Sequence, residues 1–305
     1  RTLEHPAEKA RFLGWEVRHT GPVCDVLRLR WSVGNSRIEQ DVVLYTHTPR
    51  IDFDTWVDWQ EDHRLLKVAF PVAVRAAHAT YEIPFGALQR PTHSNTSWEQ
   101  AQFEVCGHKW ADLSEAGYGV SLLNDCKYGY DVKGNVLRLS LLRAPNWPSP
   151  AIDRGEHRFT YSLYPHAGTW IQSGTVREAY QLNVPVAVEL GDEGRAEAAS
   201  DKGQLPATHS FLAVEADHAV LDTVKAAEDG RGLILRFYEA AGGQSRVTVR
   251  LDRPAERVEE CNILEEPMHA GAGEGAAEGG VVLAADRLAF TFTMRPFEVK
   301  TLRVV

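Results

Sequence analysis

The chain has 305 residues, enough for two ordinary domains or for one large all-β unit and a smaller one. It is 44% hydrophobic and 25% charged, the balance of a folded soluble protein. A formal net charge of -9 without a dense Lys/Arg run argues against nucleic acid and against an anionic membrane surface as the main partner. No apolar run approaches the roughly 18 residues a membrane span requires. Residues 1–11 are charged and lack the apolar region of a signal peptide, and the missing initiator Met reads as the mark of an excised piece. Cys24, Cys106, Cys126 and Cys261 are widely spaced, with no Cys-x-x-Cys pair, so reduced thiols and a cytoplasmic setting are expected.

Val26–Val33 alternates strictly, with Leu27, Leu29, Trp31 and Val33 on one face and Arg28, Arg30 and Ser32 on the other. A turn at Gly34-Asn35-Ser36 and renewed alternation over 38–46 complete an antiparallel hairpin. Further strands are expected at 51–59, at 65–74, where Pro71 marks an edge or bend, and at 79–85. Residues 86–100 read as a long polar loop holding Trp98 outward, and 103–110 as the next strand. The Asn95-Thr96-Ser97 triplet fits the glycosylation pattern, a common chance match. A strand at 119–123 then enters a polar knot, Asn124-Asp125-Cys126-Lys127, followed by Tyr128-Gly129-Tyr130-Asp131 and a Gly134-Asn135 turn into an apolar strand at 136–142. A second long loop is expected at 146–156, a strand at 157–165 and a short helix or irregular link at 175–182.

Long helices are missing, which makes the chain all-β. A Gly/Ala/Glu/Asp-rich segment suggests a division into 1–190, a linker at 191–207 and 208–305. In the last part, short strands at 210–214, 220–224, 233–238, 247–251, 287–294 and 299–304 suggest a small β-sandwich. Residues 269–280, almost all Gly, Ala and Glu, read as a flexible loop tip.

Amides, carboxylates, an amine and phenols on a loop beside rigid strands are how sugar sites are often built. The stretch 117–135 is the candidate on that ground; without a ligand it is a decorated hairpin whose tyrosines pack its ends. Asp52, Asp54, Asp58, Glu61 and Asp62 surround Trp56 and Trp59. Paired carboxylates are what glycoside cleavage needs, but carboxylates at every second position of a strand ordinarily make a solvated face, and that reading is preferred. No His-Glu-x-x-His, Gly-x-Ser-x-Gly or P-loop occurs. The histidines, among them His47, His63, His78, His93, His108, His157 and His166, are scattered and read as surface or core residues.

Six stretches carry a resemblance. Asn35-Ser36-Arg37-Ile38-Glu39-Gln40, the run from Asp58 to Pro71 and the run from Gly117 to Tyr130 resemble the C-terminal part of α-mannosidases of glycoside hydrolase family 38. So do Asp153-Arg154-Gly155-Glu156-His157 with Tyr161 to His166, and Ala226 to Gly230. The similarity is strongest to the cytosolic and bacterial branch. It implies an antiparallel β-supersandwich, galactose mutarotase-like, followed by a small β-sandwich, with the opening strands of the supersandwich missing. It implies a parent enzyme that removes α-linked mannose with retention, using a divalent metal, zinc in most members. The family's catalytic domain, with its His-x-Asp metal motif, lies N-terminal to this region. No catalytic residue, metal ligand or cofactor is therefore assigned to this chain, which is expected to be inactive alone. The partners implied are the missing N-terminal catalytic domain and a mannose-containing oligosaccharide, with no nucleic acid and no membrane. Asn124, Asp125, Lys127, Tyr128, Tyr130 and Arg143 are expected to wall the sugar cleft or pin the domain interface, with Lys127 paired to an acid and Arg143 bracing the loop. A free-standing carbohydrate-binding module using Trp98, Trp147 and Trp170, and an assembly domain that forms homo-oligomers through an unpaired sheet edge, remain alternatives. A mutarotase-like epimerase rests on fold alone.

Overall fold

The computed structural model describes residues 8–150, 152–189, 206–268 and 280–305. The expected linker at 191–207 lies almost wholly outside the described residues, as does nearly all of the expected loop tip at 269–280. By its contacts the chain divides into two units, Arg1–Ile83 with Leu88–Pro185, and Pro84–Ala87 with Val186–Val305.

The first unit runs through β1 (Arg11–Thr20), β2 (Cys24–Val33), β3 (Ser36–Tyr45), β4 (Ile51–Trp59), β5 (Leu66–Pro71), β6 (His78–Ile83), β7 (Gly86–Pro91), α1 (Ser97–Ala101), β8 (Val105–Cys106), β9 (Trp110–Ser114), β10 (Tyr118–Asn124), β11 (Gly129–Lys133), β12 (Val136–Leu142), β13 (Gly155–Ala167), α2 (Trp170–Ser173) and α3 (Thr175–Asn183). Nine strands form one sheet in the order β1-β2-β3-β4-β13-β10-β9-β6-β7, and four form a second in the order β5-β12-β11-β8. Alternation decides what each strand buries. On β4, Val57 and Trp59 enter the core between the sheets, while Asp54, Trp56 and Asp58 point the other way. From β13 come Phe159 and Tyr161, and from β12 Leu137 and Leu139. Polar side chains cross this core in a hydrogen-bonded set. The Gln40 amide donates to Thr55 Oγ1 at 3.0 Å and to the Tyr161 phenol oxygen at 2.7 Å. Burial pushes the Tyr161 phenol up to about 12, so it stays neutral.

The β2–β3 turn is held from outside. Gly34 has φ 54°, and a Cβ there would strike the Glu61 carboxylate. That carboxylate accepts the Asn35 N–H at 2.7 Å and the Ser36 hydroxyl at 3.2 Å. Two of the resembling motifs thus meet in one contact.

Three expectations are corrected. Residues 86–100 contain β7 and α1. The Asn95-Thr96-Ser97 triplet is the cap of α1, where the Thr96 hydroxyl accepts the Glu99 N–H at 3.2 Å and the Glu99 carboxylate accepts the Asn95 and Thr96 N–H groups. Capping residues are polar, so the sequence reads as loop. Residues 103–110 are not one strand, because the chain changes sheets there. The Gly107 N–H bonds Tyr128 O at 3.1 Å and the His108 N–H bonds Glu82 O at 3.0 Å, so β8 ends in the small sheet and β9 starts in the large one. Gly129–Lys133 is strand β11 and not part of a loop.

The second unit holds β14 (Leu212–Ala216), β15 (Ala219–Ala226), β16 (Leu233–Glu239), β17 (Ser245–Leu251), β18 (Val258–Cys261), β19 (Val282–Leu283), β20 (Ala289–Met294) and β21 (Val299–Val304). Two four-stranded sheets, β14-β17-β20-β19 and β15-β16-β21-β18, enclose Leu235, Phe237, Val247, Val249, Phe290, Phe292 and Leu302. This is a small β-sandwich, and the whole chain has the all-β architecture expected of it. The buried Glu239 carboxylate is satisfied by the N–H groups of Ala241 at 2.9 Å, Gly242 at 2.7 Å and Phe297 at 3.0 Å.

Leu139→Ala, at a side chain with no exposed surface, is expected to lower the unfolding free energy by about 2–5 kcal/mol in urea titration.

Candidate functional site

The loop after β10 stands on a closed base. The Asn124 side chain points inward, donates to His108 O at 2.8 Å and to the Tyr130 phenol, and accepts the Lys127 N–H at 2.5 Å. Tyr130 donates to His108 O at 3.0 Å. Asn124 and Tyr130 are 1% and 0% exposed. Of the two readings expected for them, wall of a sugar cleft or pin of an interface, direct sugar contact does not fit side chains so enclosed and internally hydrogen-bonded; they shape the loop. Asn183, at the end of α3, donates to the Asn124 backbone carbonyl at 2.9 Å.

Above this base the outward groups are few. Asp125 accepts the Thr160 N–H through one oxygen at 2.9 Å and is otherwise exposed. The exposed Tyr128 ring tilts against His108 at 5.4 Å between centroids. Burial, with Asp125 alongside, pushes the Cys126 thiol up to about 11, so it is protonated at neutral pH and a poor nucleophile. Lys127 lies 4.4 Å from the centroid of the Phe159 ring, a cation–π contact in place of the expected acidic partner. Arg143 is exposed, and its backbone N–H is held by Asp153 at 3.1 Å.

The outer face of the large sheet is polar and has two parts. One lies under α2 and α3. There, His166 Nε2 is 2.8 Å from Asp112, whose carboxylate accepts the Ser121 hydroxyl at 2.8 Å, and Ser121 meets Thr175 of α3 at 2.8 Å. Ser121 bonds the carboxylate and not the imidazole, so this set has no activated nucleophile. Beside it, Arg50 grips Asp52 at 2.8 Å and Glu178 of α3 at 3.3 Å.

The other part is open. Register places Arg28, Asp41, Asp54 and Thr160 in one row across β2, β3, β4 and β13, and Arg30, Glu39, Trp56 and Arg158 in the next. Arg28 holds Asp41 with two bonds of 2.7 Å and reaches Glu39 at 3.1 Å. The Trp56 indole N–H donates to Glu156 at 3.2 Å. A cleft of about 240 Å³ lies between Arg28, Glu39, Asp41, Asp54, Trp56 and Arg158. The two facing carboxylates differ. The Arg28 hydrogen bond holds Asp41 below its ordinary value. Burial and then the Asp41 charge raise Asp54 above its own, against the pull of Arg158.

The acidic cluster read as a solvated face is therefore divided, because helices and turns cover part of it. Asp52 is buried against Arg50, and Glu61 is buried under the β2–β3 turn, while Asp54 stays open. Of the aromatic candidates, Trp98 and Trp147 are exposed, and Trp170 stacks on Trp110 at 4.8 Å. Among the described residues no group of three or more His, Cys, Asp or Glu side chains is arranged to hold a metal ion, so the residues present do not fit a divalent metal. No helix among them is long and apolar enough to cross a membrane.

The class the fold defines is a chain of two all-β units, one built on a nine-stranded and a four-stranded sheet and one a small β-sandwich. The pattern described as "Glycosyl hydrolases family 38 C-terminal domain" matches residues 4–151, and "Glycosyl hydrolases family 38 C-terminal beta sandwich domain" matches residues 218–302. The chain belongs to glycoside hydrolase family 38, as part of its C-terminal region. It is 45% identical over 275 residues to Alpha-mannosidase 2C1 of Homo sapiens, spanning 89% of this chain and 24% of that protein. It is 40% identical to Alpha-mannosidase G of Dictyostelium discoideum over 95% of this chain and 26% of that one. The chain thus spans about a quarter of the length of these relatives. The fold is also that of an alpha-mannosidase from Enterococcus faecalis V583, with a TM-score of 0.77 at 18% identity over 97% of this chain and 35% of that one.

Asp41 and Asp54 give opposite predictions. Asp41 is held low, so its stabilisation is present above the ordinary carboxylate range and lost as the pH falls through its folded value. Asp54 is raised, so its ionisation costs stability above its folded value, and the cost vanishes below the ordinary range. In urea titrations at neutral pH, Asp41→Asn is expected to destabilise and Asp54→Asn to stabilise, both effects fading on acidification.

Proposed function

We propose that this chain is the non-catalytic C-terminal part of a retaining, metal-dependent α-mannosidase that acts on α-linked mannose in oligosaccharides. The observation that carries the reading is the 45% identity, across 89% of the chain, to a protein named as an α-mannosidase. The nucleophile, the acid/base and the metal ligands are assigned to the portion of the protein outside these residues. The four free cysteines, two of them exposed, suit a reducing, cytoplasmic setting. The test compares the full-length protein with this chain on an aryl α-mannoside. Turnover by the full-length protein that a chelator abolishes, with none from the chain alone, is expected. Turnover by the chain alone would refute the division of labour.

Within that enzyme, the loop after β10 is proposed to wall the sugar cleft through Asp125, Tyr128 and Lys127, with Asn124 and Tyr130 as its fixed base and Arg143 at its flank. A Tyr128→Ala change in the full-length protein is expected to raise KM for an oligomannoside while the melting temperature stays put, because the ring is exposed and its removal opens no cavity. Unchanged kinetics with lost stability would assign the loop to the interface alone.

The portion upstream is also proposed to cover the β1 end of the large sheet. Phe12, Leu13, Trp15 and Val17 are all about half exposed or more on that terminal strand, an apolar stripe of the kind that marks an interface. On its own the chain is expected to self-associate in light scattering, Trp15→Lys to reduce that association, and the full-length protein to lack it.

A further inference from the structure

We propose that the open cleft around Trp56 is a binding site for one neutral hexopyranose unit of an oligosaccharide, its ring laid on the indole and its hydroxyls bonded to the carboxylates and guanidinium groups beside it. This deepens the α-mannosidase reading and takes its choice of sugar, mannose, from it.

Three features converge. The first is a flat apolar surface in a polar field. Trp56 points out of the sheet where its neighbour Trp59 points in, and the bond to Glu156 fixes its plane. A pyranose offers C–H groups on its faces and hydroxyls around its rim, and an aromatic ring framed by charged side chains matches that pattern. The second is charge. Arg28 and Arg158 stand against Glu39, Asp41 and Asp54, both signs within one cleft. A polyanion would meet the carboxylates and a polycation the guanidinium groups, so the cleft suits neither. A neutral polyol can use donors and acceptors together. The third is preorganisation. The polar groups stand on four hydrogen-bonded strands, and the paired bonds from Arg28 fix Asp41 before any ligand arrives.

Size limits the ligand. About 240 Å³ falls below the roughly 300–1,000 Å³ of ordinary small-molecule clefts, so the dish takes a single ring of a longer chain. Asp54 adds a separate sign. It faces Asp41 across the strand pair, and partial burial with that facing negative charge raises it above its ordinary value.

The test is hydroxyl-radical footprinting of the full-length protein, read by mass spectrometry, with thio-linked α-mannobiose, which is not cleaved. Trp56 oxidation is expected to fall severalfold at saturating sugar while Trp98 and Trp147 are unaffected. Asp54→Asn is expected to raise the sugar concentration for half-protection by roughly five- to tenfold, the worth of one hydrogen bond. That variant is the one expected to be more stable, so misfolding does not confuse the result. Trp56 oxidation indifferent to mannobiose, or a Trp56 as unreactive as the core Trp59 in sugar-free protein, would each overturn the site. Aryl α-mannoside turnover by the same preparation tests the parent reading separately: its absence with Trp56 still protected strikes the α-mannosidase assignment and leaves the site standing.

Discussion

A sheet hides its apolar side only where something lies against it, and in the first unit nine strands face four. That inequality governs the rest. Where the small sheet lies opposite, Trp59, Leu122, Leu139 and Phe159 pack without solvent. Toward β1 the cover runs out, and Phe12, Trp15 and Val17 emerge. An isolated β-protein would avoid such a margin by charge, proline or a bulge that turns the edge away. Here β1 carries two register shifts against β2 and still presents its large apolar residues. A surface of that kind is the one proposed above to be covered by the rest of the protein.

The opposite face of the same sheet is handled by electrostatics. Part of it is roofed by two short helices, and the carboxylates beneath them are paired: Asp112 with His166 and Ser121, Asp52 with Arg50 and Ser162. Buried charge is tolerable because it is paired and hydrogen-bonded. The rest has no roof, and its cross-strand ion pairs are open to water, where each contributes little to stability. Their effect there is geometric: they hold side chains still.

Much of this was legible in the sequence because period-two alternation survives in it. The β2–β3 hairpin, β4, β10, β12 and β13 could be read from alternating apolar residues and from the Gly34-Asn35 and Gly134-Asn135 turns. The same rule separates Trp59 from Trp56, three positions apart and on opposite faces. What could not be read was distant. Asn124 and Tyr130 look like exposed polar loop residues, and the His108 carbonyl that ties them down comes from the link between β8 and β9. The change of sheet at 107–109 leaves no compositional trace, since either sheet offers the same backbone partners. Capping residues hid α1 inside an apparent loop. Asp52 and Asp54 are alike in sequence, and only α3, contributed from far along the chain, makes one buried and leaves the other open.

The meeting of Gly34 with Glu61 has an evolutionary corollary. The missing side chain at one position makes room for the acid at the other, and that acid fastens a turn which lies two strands away in the chain. Drift at the two positions is consequently tied. A lineage that acquires alanine at 34 must shorten or lose the acid at 61, and once the acid is gone the glycine is released from half of its constraint. The pair should therefore change in concert wherever it changes, leaving in the genealogy of these proteins a record of a contact that neither residue announces alone.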